Sequence, residues 1–322
     1  MTPAEQAQVR SLNDIFTRAV PIGMRLTEDP RSRDIQEFCG LLASLVPKIR
    51  IRRQEADAAS LPAIAVGPRL TYCGIPSHNE LAPFIEALVF LDAGTREVPE
   101  SIVNRLRHIH PPVSVSVFIA PVCKFCPDVV RRLLPLPFAV DGLRMELIDS
   151  VFFEDAAEKH QVRSVPTVVL DNQFRWTGGV TLEQLCEAVE KRDPGKLDKA
   201  ALQRIVTEGG ANDLARMMRD NGRVFPAFLE LLTEETFTVR LAAMVTMEEL
   251  AAADLTLARQ VVAPLWHRYA QSADSVKGDI LYIFGELKSL QSLPHLRTLL
   301  AAEGNPEIRE AAQEALEKIE NQ

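Results

Sequence analysis

Cys123 and Cys126 are the residues in this chain best equipped for chemistry. Two thiols separated by two positions can cycle between dithiol and disulfide, or they can supply half of a tetrahedral zinc site. The neighbouring sequence decides between these. The run Val113-Ser114-Val115-Ser116-Val117-Phe118-Ile119 reads as a buried strand, and Asp128-Val129-Val130-Arg131-Arg132-Leu133-Leu134 reads as a helix. The pair therefore stands where a strand hands over to a helix N-terminus, and there free N–H groups and the helix dipole favour an anion. That placement predicts a lowered pKa and a nucleophilic role for Cys123, with Cys126 as the resolving thiol one turn further in. Lys124 adds a cation that modulates the pair, or is simply a solvated surface lysine. No second Cys-x-x-Cys and no His/Cys cluster completes a zinc site, so no metal is expected.

Forty positions after Cys126 comes Pro166, in Val165-Pro166-Thr167, at the head of an apolar run. Proline cannot donate to a sheet ladder, so it must open a strand or lie at an edge. A cis bond there would set a backbone edge beside the thiols for extended peptides, with Val165 and Thr167 lining the substrate groove.

The elements that must carry these residues alternate. Helical patterning in Ala4–Ala19 precedes a strand at Ile22–Leu26, a helix at Arg31–Val46 and a strand at Lys48–Arg53. Short apolar runs at Pro62–Val66 and Leu70–Cys73 and a helix at Glu80–Leu91 follow. After a break at Asp92-Ala93-Gly94 and Pro99 the same order returns: a helix at Pro99–Ile109, the strand at Val113–Ile119, the dithiol helix, a strand at Leu143–Ile148 and a helix at Phe153–His160. Strands at Thr167–Leu170 and Gln173–Trp176, close enough for a hairpin, and a helix at Thr181–Lys191 complete it. The alternation argues for an α/β sheet, and the repeated order for a duplication.

Beyond Asp193-Pro194-Gly195 no strand is expected. Val239-Arg240, Val276-Lys277 and Ile308-Arg309, spaced by 37 and 32 residues, each open a helix with one apolar face. Those faces carry Ala243, Met247 and Leu250; Ile280, Phe284 and Leu287; and Ala312, Leu316 and Ile319. Pro226, Pro264 and Pro294 precede them, within the first helix of each pair. Such a period indicates a helical solenoid, with an ordinary helical bundle as the rival. The pattern resembles HEAT repeats over about residues 197–322, with Leu197–Leu232 a degenerate first copy.

Composition sets limits on function. A net charge of −8 argues against a nucleic-acid partner, and no apolar run approaches the ~20 residues of a membrane helix. The opening Met1-Thr2-Pro3-Ala4-Glu5-Gln6 lacks the basic and apolar regions of a signal peptide, so a reducing cytoplasm is the expected setting. Five cysteines in 322 residues are no disulfide scaffold. Cys39, Cys73 and Cys186 read as small buried hydrophobes, with a Cys39–Cys73 disulfide as the alternative for the first two. His108 and His110 before Pro111-Pro112 read as a surface loop rather than a ligand pair, and Trp266 and His267 as helix packing.

Strand, Cys-x-x-Cys, helix, then Ser164-Val165-Pro166-Thr167 and Trp176-Thr177-Gly178-Gly179 before a helix resemble the thioredoxin/glutaredoxin pattern. Cys123-Lys124-Phe125-Cys126-Pro127-Asp128-Val129-Val130 is more specifically similar to the N-terminal region of the flavoprotein subunit of alkyl hydroperoxide reductase. So are Arg107-His108-Ile109, Ile148-Asp149, Phe153-Glu154-Asp155 and Thr181-Leu182-Glu183, and the likeness extends back through Gly74-Ile75-Pro76 and Glu80. The resemblance covers about residues 1–192. It implies two tandem thioredoxin folds, only the second carrying a dithiol, that pass electrons to substrate disulfides.

The expectation is thus an α/β thioredoxin-like pair followed by an all-α HEAT-like domain. Residues 1–95 would form a fold without a dithiol, 96–194 the fold with it, and 195–322 the repeats. The first fold has Thr27-Glu28-Asp29-Pro30 where a dithiol would stand and Pro62 where the second has Pro166. Glu80 matches a family position near the contact between folds and is a candidate modulator of the dithiol, or an ordinary helix-start carboxylate. The chain departs from the family in the Lys-Phe between its cysteines, in the preceding Pro121-Val122, and in having no Gly-x-Gly-x-x-Gly after a strand. No cofactor is therefore expected, and electrons must come from an external flavoprotein reductase or a small thiol. The family's peroxide-reducing role does not carry over. The leading function is a thiol-disulfide oxidoreductase acting on protein disulfide clients held by the repeats; the alternative is a non-enzymatic redox-sensing scaffold.

Overall fold

The computed structural model describes residues 1–54, 60–94, 98–107, 109, 112–302 and 304–321. His108, His110 and the expected boundary at residues 95 and 96 lie outside them. The chain forms two compact units, Met1–Arg192 and Asp193–Gln322.

The first unit is built on one sheet of eight strands: β1 (Val20–Arg25), β2 (Ile49–Gln54), β3 (Ala63–Ala65), β4 (Leu70–Cys73), β5 (Val113–Ile119), β6 (Leu143–Asp149), β7 (Thr167–Leu170) and β8 (Phe174–Thr177). Their spatial order is β2-β1-β3-β4-β6-β5-β7-β8. Each half repeats one motif. The first two strands pair in parallel, the third runs antiparallel to the first, and the fourth makes a hairpin with the third. The halves fuse where β4 pairs in parallel with β6, from Leu70↔Met145 to Cys73↔Ile148. The duplication expected from element order therefore yields a continuous sheet.

Helices cover both faces: α1 (Pro3–Arg10), α2 (Ser32–Leu45), α3 (Leu81–Ala93), α4 (Glu100–Leu106), α5 (Cys126–Leu133), α6 (Glu154–Lys159) and α7 (Leu182–Lys191). β5 shows the effect on sequence. Val113, Val115 and Val117 are buried with Ser114 and Ser116 between them, and then Phe118 and Ile119 are buried in succession. Consecutive buried residues are what a strand covered on both sides requires. α5 begins Cys126-Pro127, a position where the proline's missing N–H costs nothing because it would have no helical partner. α5 buries Cys126, Val129, Val130 and Leu133, burial worth about 2 kcal/mol for each large aliphatic side chain.

The second unit is helical throughout its described residues: α8 (Lys199–Thr207), α9 (Ala211–Asn221), α10 (Phe237–Ala253), α11 (Val262–Tyr269), α12 (Asp274–Glu286), α13 (Leu293–Ala302) and α14 (Pro306–Glu320), with a few shorter turns of helix. The expected inward residues of α10, α12 and α14 are buried, apart from Leu316, which is partly so. Arg240 is buried on α10 and reaches Asp279 on α12, and Tyr282 on α12 donates to Glu248 on α10. Asn305 meets Asp274 and Lys318 meets Glu286, joining α12 to α14. These links keep chain order, so the three helices run parallel. Pro264 and Pro294 stand in the first turn of α11 and α13, where proline is tolerated. Pro226 differs from expectation. It precedes a four-residue helix, Phe228–Leu231, because a proline disfavours helical backbone in the residue before it.

Candidate active site

Leaving β5 at Ile119, the chain turns through Ala120–Phe125 into α5. Cys126 is fully buried and Cys123 half-buried. Their sulfurs are joined in a disulfide, with 5.6 Å between the Cα atoms. The Cys126 N–H donates to Cys123 Sγ at 3.1 Å. The first amide of α5 is thus aimed at the outer sulfur, an arrangement that favours a thiolate there.

The connection from α6 into β7 brings Pro166 to the same place. The Val165–Pro166 bond is cis, the only one among the described residues, and the Val165 carbonyl oxygen lies 3.8 Å from Cys123 Sγ. Pro62, its counterpart in the first half, is not cis. Of the two expected groove residues, Val165 is half-buried beside the sulfur, whereas Thr167 faces inward. It is 2% exposed and its hydroxyl donates to the Ser164 carbonyl at 2.7 Å. The Thr167 side chain locks the turn instead of lining a groove, because it is the first residue of a strand covered on both faces. Lys124 is exposed. Three apolar residues at this end of the sheet are also exposed: Val122 and Phe125 in the cysteine loop, and Val151 just after β6.

The half without a dithiol contributes directly. Asn79 Nδ2 donates to the Cys123 carbonyl at 3.1 Å and its backbone N–H to the Pro121 carbonyl at 3.0 Å. His78 takes a positive φ, 51°, and its N–H donates to Glu5 Oε1 at 2.7 Å, which ties this turn to α1. Where the first half would carry its own dithiol, Arg31 pairs with Asp29 and with Asp155 at 2.7 Å, and its guanidinium lies 4.3 Å from the Phe153 ring centroid. Arg31 holds both carboxyls below the usual range.

Glu80 is not an ordinary helix-start carboxylate. It precedes α3 without capping it and is 2% exposed. Neither of its oxygens, nor the Tyr72 hydroxyl, has a hydrogen-bond partner among the described residues. It lines a small pocket with Tyr72, Gly74, Pro121, Leu147 and Asp149. Gly74 makes the close approach possible. Its φ is +145°, and a Cβ there would fall 2.7 Å from Asp149 Cβ. Burial pushes the Glu80 carboxyl up to about 7, with Arg131 opposing and Asp149 reinforcing. Burial also raises Asp149, against hydrogen bonds from the Val151 and Phe152 amides. The turn holding Glu80 packs on α5, and Glu86 of α3 pairs with Arg131 of α5 at 2.8 Å.

The remaining cysteines are buried free thiols. Cys39 and Cys73 form no disulfide because they belong to separate apolar clusters of the unit. Burial drives the Cys39 thiol up to about 12 and raises those of Cys73 and Cys186 as well. Among the described residues no group of three or more His, Cys, Asp or Glu is placed to hold a metal, and no helix is long and apolar enough to cross a membrane. The exposed apolar residues and the role of Asn79 went unread in the sequence. Phe125 between the cysteines was the available signal for the first, and nothing local marked the second.

A family model described as a thioredoxin domain matches residues 113–190, which run from β5 into α7. Among curated relatives, the F component of alkyl hydroperoxide reductase from Xanthomonas campestris pv. phaseoli is 24% identical over 215 residues, 64% of this chain and 41% of the relative. NADH dehydrogenase of Bacillus subtilis is 23% identical over 183 residues, 56% of this chain and 36% of the relative. The chain thus spans about two fifths of the curated relatives' length. Among solved structures, the N-terminal domain of alkylhydroperoxide reductase AhpF from Enterococcus faecalis aligns with a TM-score of 0.50 at 21% identity, over 59% of this chain and 99% of that one. A protein disulfide oxidoreductase from Aeropyrum pernix aligns with a TM-score of 0.51 at 16% identity, over 61% and 95%. The chain carries a thioredoxin-like α/β fold, similar to the N-terminal region of AhpF, followed by a helical region.

Proposed function

We propose that this chain is a thiol-disulfide oxidoreductase that works through Cys123 and Cys126. The observation carrying the proposal is the asymmetry of the pair: one sulfur is half-exposed and faced by the first amide of α5, while the other is fully buried behind it. In the reduced state the Cys123 thiolate attacks a client disulfide, forming a mixed disulfide and releasing one client thiolate, which takes up a proton. Cys126, deprotonated, then attacks Cys123 Sγ, and the second client thiolate leaves. Two electrons pass to the client, and the Cys123–Cys126 disulfide forms. The Val165–Pro166 backbone supplies the edge on which the client segment lies, and Lys124 and Glu80 tune the pair. The similarity to the F component of alkyl hydroperoxide reductase favours an external flavoprotein reductase as donor, with a small thiol as the other source.

The domain reading is a fold without a dithiol at 1–95, a fold with it at 96–194 and HEAT-like repeats at 195–322 that recruit a protein partner. Its support is the parallel, regularly cross-linked set α10, α12 and α14. A reducing compartment such as the cytoplasm fits three buried cysteines left as thiols.

The test is turnover. Repeated reduction of insulin with dithiothreitol as regenerant is expected for the native chain, with none above background for Cys123→Ser. Cys126→Ser should instead accumulate as a mixed disulfide. A single slow oxidation without turnover would refute the enzyme and favour the redox-sensing scaffold.

A further inference from the structure

α10 is apolar on two sides. Val239, Ala243, Met247 and Leu250 point into the helical unit and account for its packing. Phe237, Leu241 and Val245, each four residues from the next, form a second stripe, and all are exposed, Phe237 at 56%. A surface helix needs one apolar stripe, so the second has no role in folding. It continues onto α12 through Tyr282, 38% exposed, whose hydroxyl donates to Glu248 Oε1 at 2.8 Å. Gly278, one turn before Tyr282, leaves the surface open, since a Cβ there would meet nothing within 4 Å. A contiguous exposed apolar face of this kind marks an interaction site.

Charge identifies what it fits. The only cation on α10 is Arg240, which is buried and tied to Asp279. Exposed Glu235 stands before the stripe, and exposed Glu248 and Glu249 stand after it. From Phe237, the first residue of α10, to Glu248 is eleven helical steps, about 17 Å, and Glu235 lies two residues before Phe237 in the preceding turn. Lys318, at the far side of Tyr282, is already paired with Glu286. Residues 193–322 hold 20 acidic and 14 basic side chains, so the unit carries a net −6.

We propose that this face docks a basic amphipathic helix of a partner protein. Three apolar side chains of that helix, at i, i+4 and i+8, lie along Phe237, Leu241 and Val245, and its Lys or Arg residues at either end meet Glu235 and the Glu248/Glu249 pair. The proposal rests on the reading of the helical unit as a recruiting surface and gives that surface a location and a ligand chemistry.

The probe is a fluorescein-labelled 18-residue helical peptide with leucines at those positions and lysines at both ends, titrated against the full chain by anisotropy. Binding is expected to weaken with salt, to fall about tenfold or more for Leu241→Asp, as central apolar contacts do, and several-fold for Glu248→Gln/Glu249→Gln. A matched peptide ending in glutamates should bind far more weakly. In the same preparations, reduction of a small generic disulfide should be unchanged, which shows that the dithiol unit is intact. Equal binding of both peptides, or equal binding by Leu241→Asp, overturns the proposal. If the peptide fails to bind but Leu241→Asp still slows exchange with a folded protein client, recruitment stands and the basic-helix ligand is wrong. If neither changes, both readings fall. Self-association, or binding to phosphatidylserine vesicles, that is lost in Leu241→Asp would assign the face to a second copy or to a lipid surface and also overturn it.

Discussion

Replacing Glu80 with Gln should change how stability depends on pH, by an amount set by the burial of its carboxyl. In the unfolded chain the group titrates near 4.5, and in the folded protein near 7. The folded state therefore holds the proton more tightly. Below pH 4.5 neither state is ionised and there is no penalty; as pH rises through 7 the native carboxylate must charge inside the cavity and stability is lost. Between the two values the loss is about 1.4 kcal/mol per pH unit, and from pH 5 to pH 8 it totals about 2.5 kcal/mol. Glu80→Gln removes this slope and leaves every other titrating group in place. Urea unfolding of the oxidised protein at steps from pH 5 to 8 should show native and variant stabilities diverging by that amount, with the variant gaining as pH rises. Parallel curves would mean that the carboxyl is solvated or paired and titrates normally, and the argument for Glu80 as a modulator of the dithiol would fail with it.

Alkylating the reduced protein with iodoacetamide near neutral pH should label Cys123 well before Cys126, since only the first is reachable; mapping by mass spectrometry that finds Cys126 labelled first would reverse the roles. Asn79→Ala removes a side-chain hydrogen bond to the Cys123 carbonyl and should lower stability by about 1 kcal/mol and alter the exchange rate of the dithiol, whereas an unchanged rate would show that the turn does not position the loop. Arg240→Met leaves Asp279 and the Glu234 and Glu235 carbonyls without their donor and should destabilise the helical unit by about 3 kcal/mol in thermal unfolding; a loss under about 1 kcal/mol would show that this guanidinium is not an anchor.

Local pattern carried far into this structure. β5 and β7 occupy the residues their apolar runs marked, and the dithiol sits at the junction that Val113–Ile119 and the following helix implied. These are properties of short stretches, where alternation and side-chain branching act directly on the backbone. What was hidden depends on distant pairings. Nothing between Leu70 and Cys73 announces that β4 will take β6 as its neighbour some seventy residues on. Glu80 at the start of a helix has the same local sequence whether it faces water or a cavity, and the cavity is made by Gly74, Pro121 and Asp149. Thr167 read as a groove residue because it follows Pro166, but a strand covered on both faces turned its side chain inward.

The seam between β4 and β6 bears on any attempt to transplant the redox half. Excising residues 113–190, the stretch matched by the thioredoxin-domain model, would take β4 from one side of β6 and leave the backbone donors and acceptors that Met145–Ile148 turn toward it without their mates, while β5 still pairs on the other side. A raw strand edge of that kind recruits other chains and drives aggregation. The second half also needs the Asn79 turn from the first to hold its cysteine loop. Grafts, fusions and circular permutants should therefore carry all eight strands as one cassette, with cut points chosen outside the sheet.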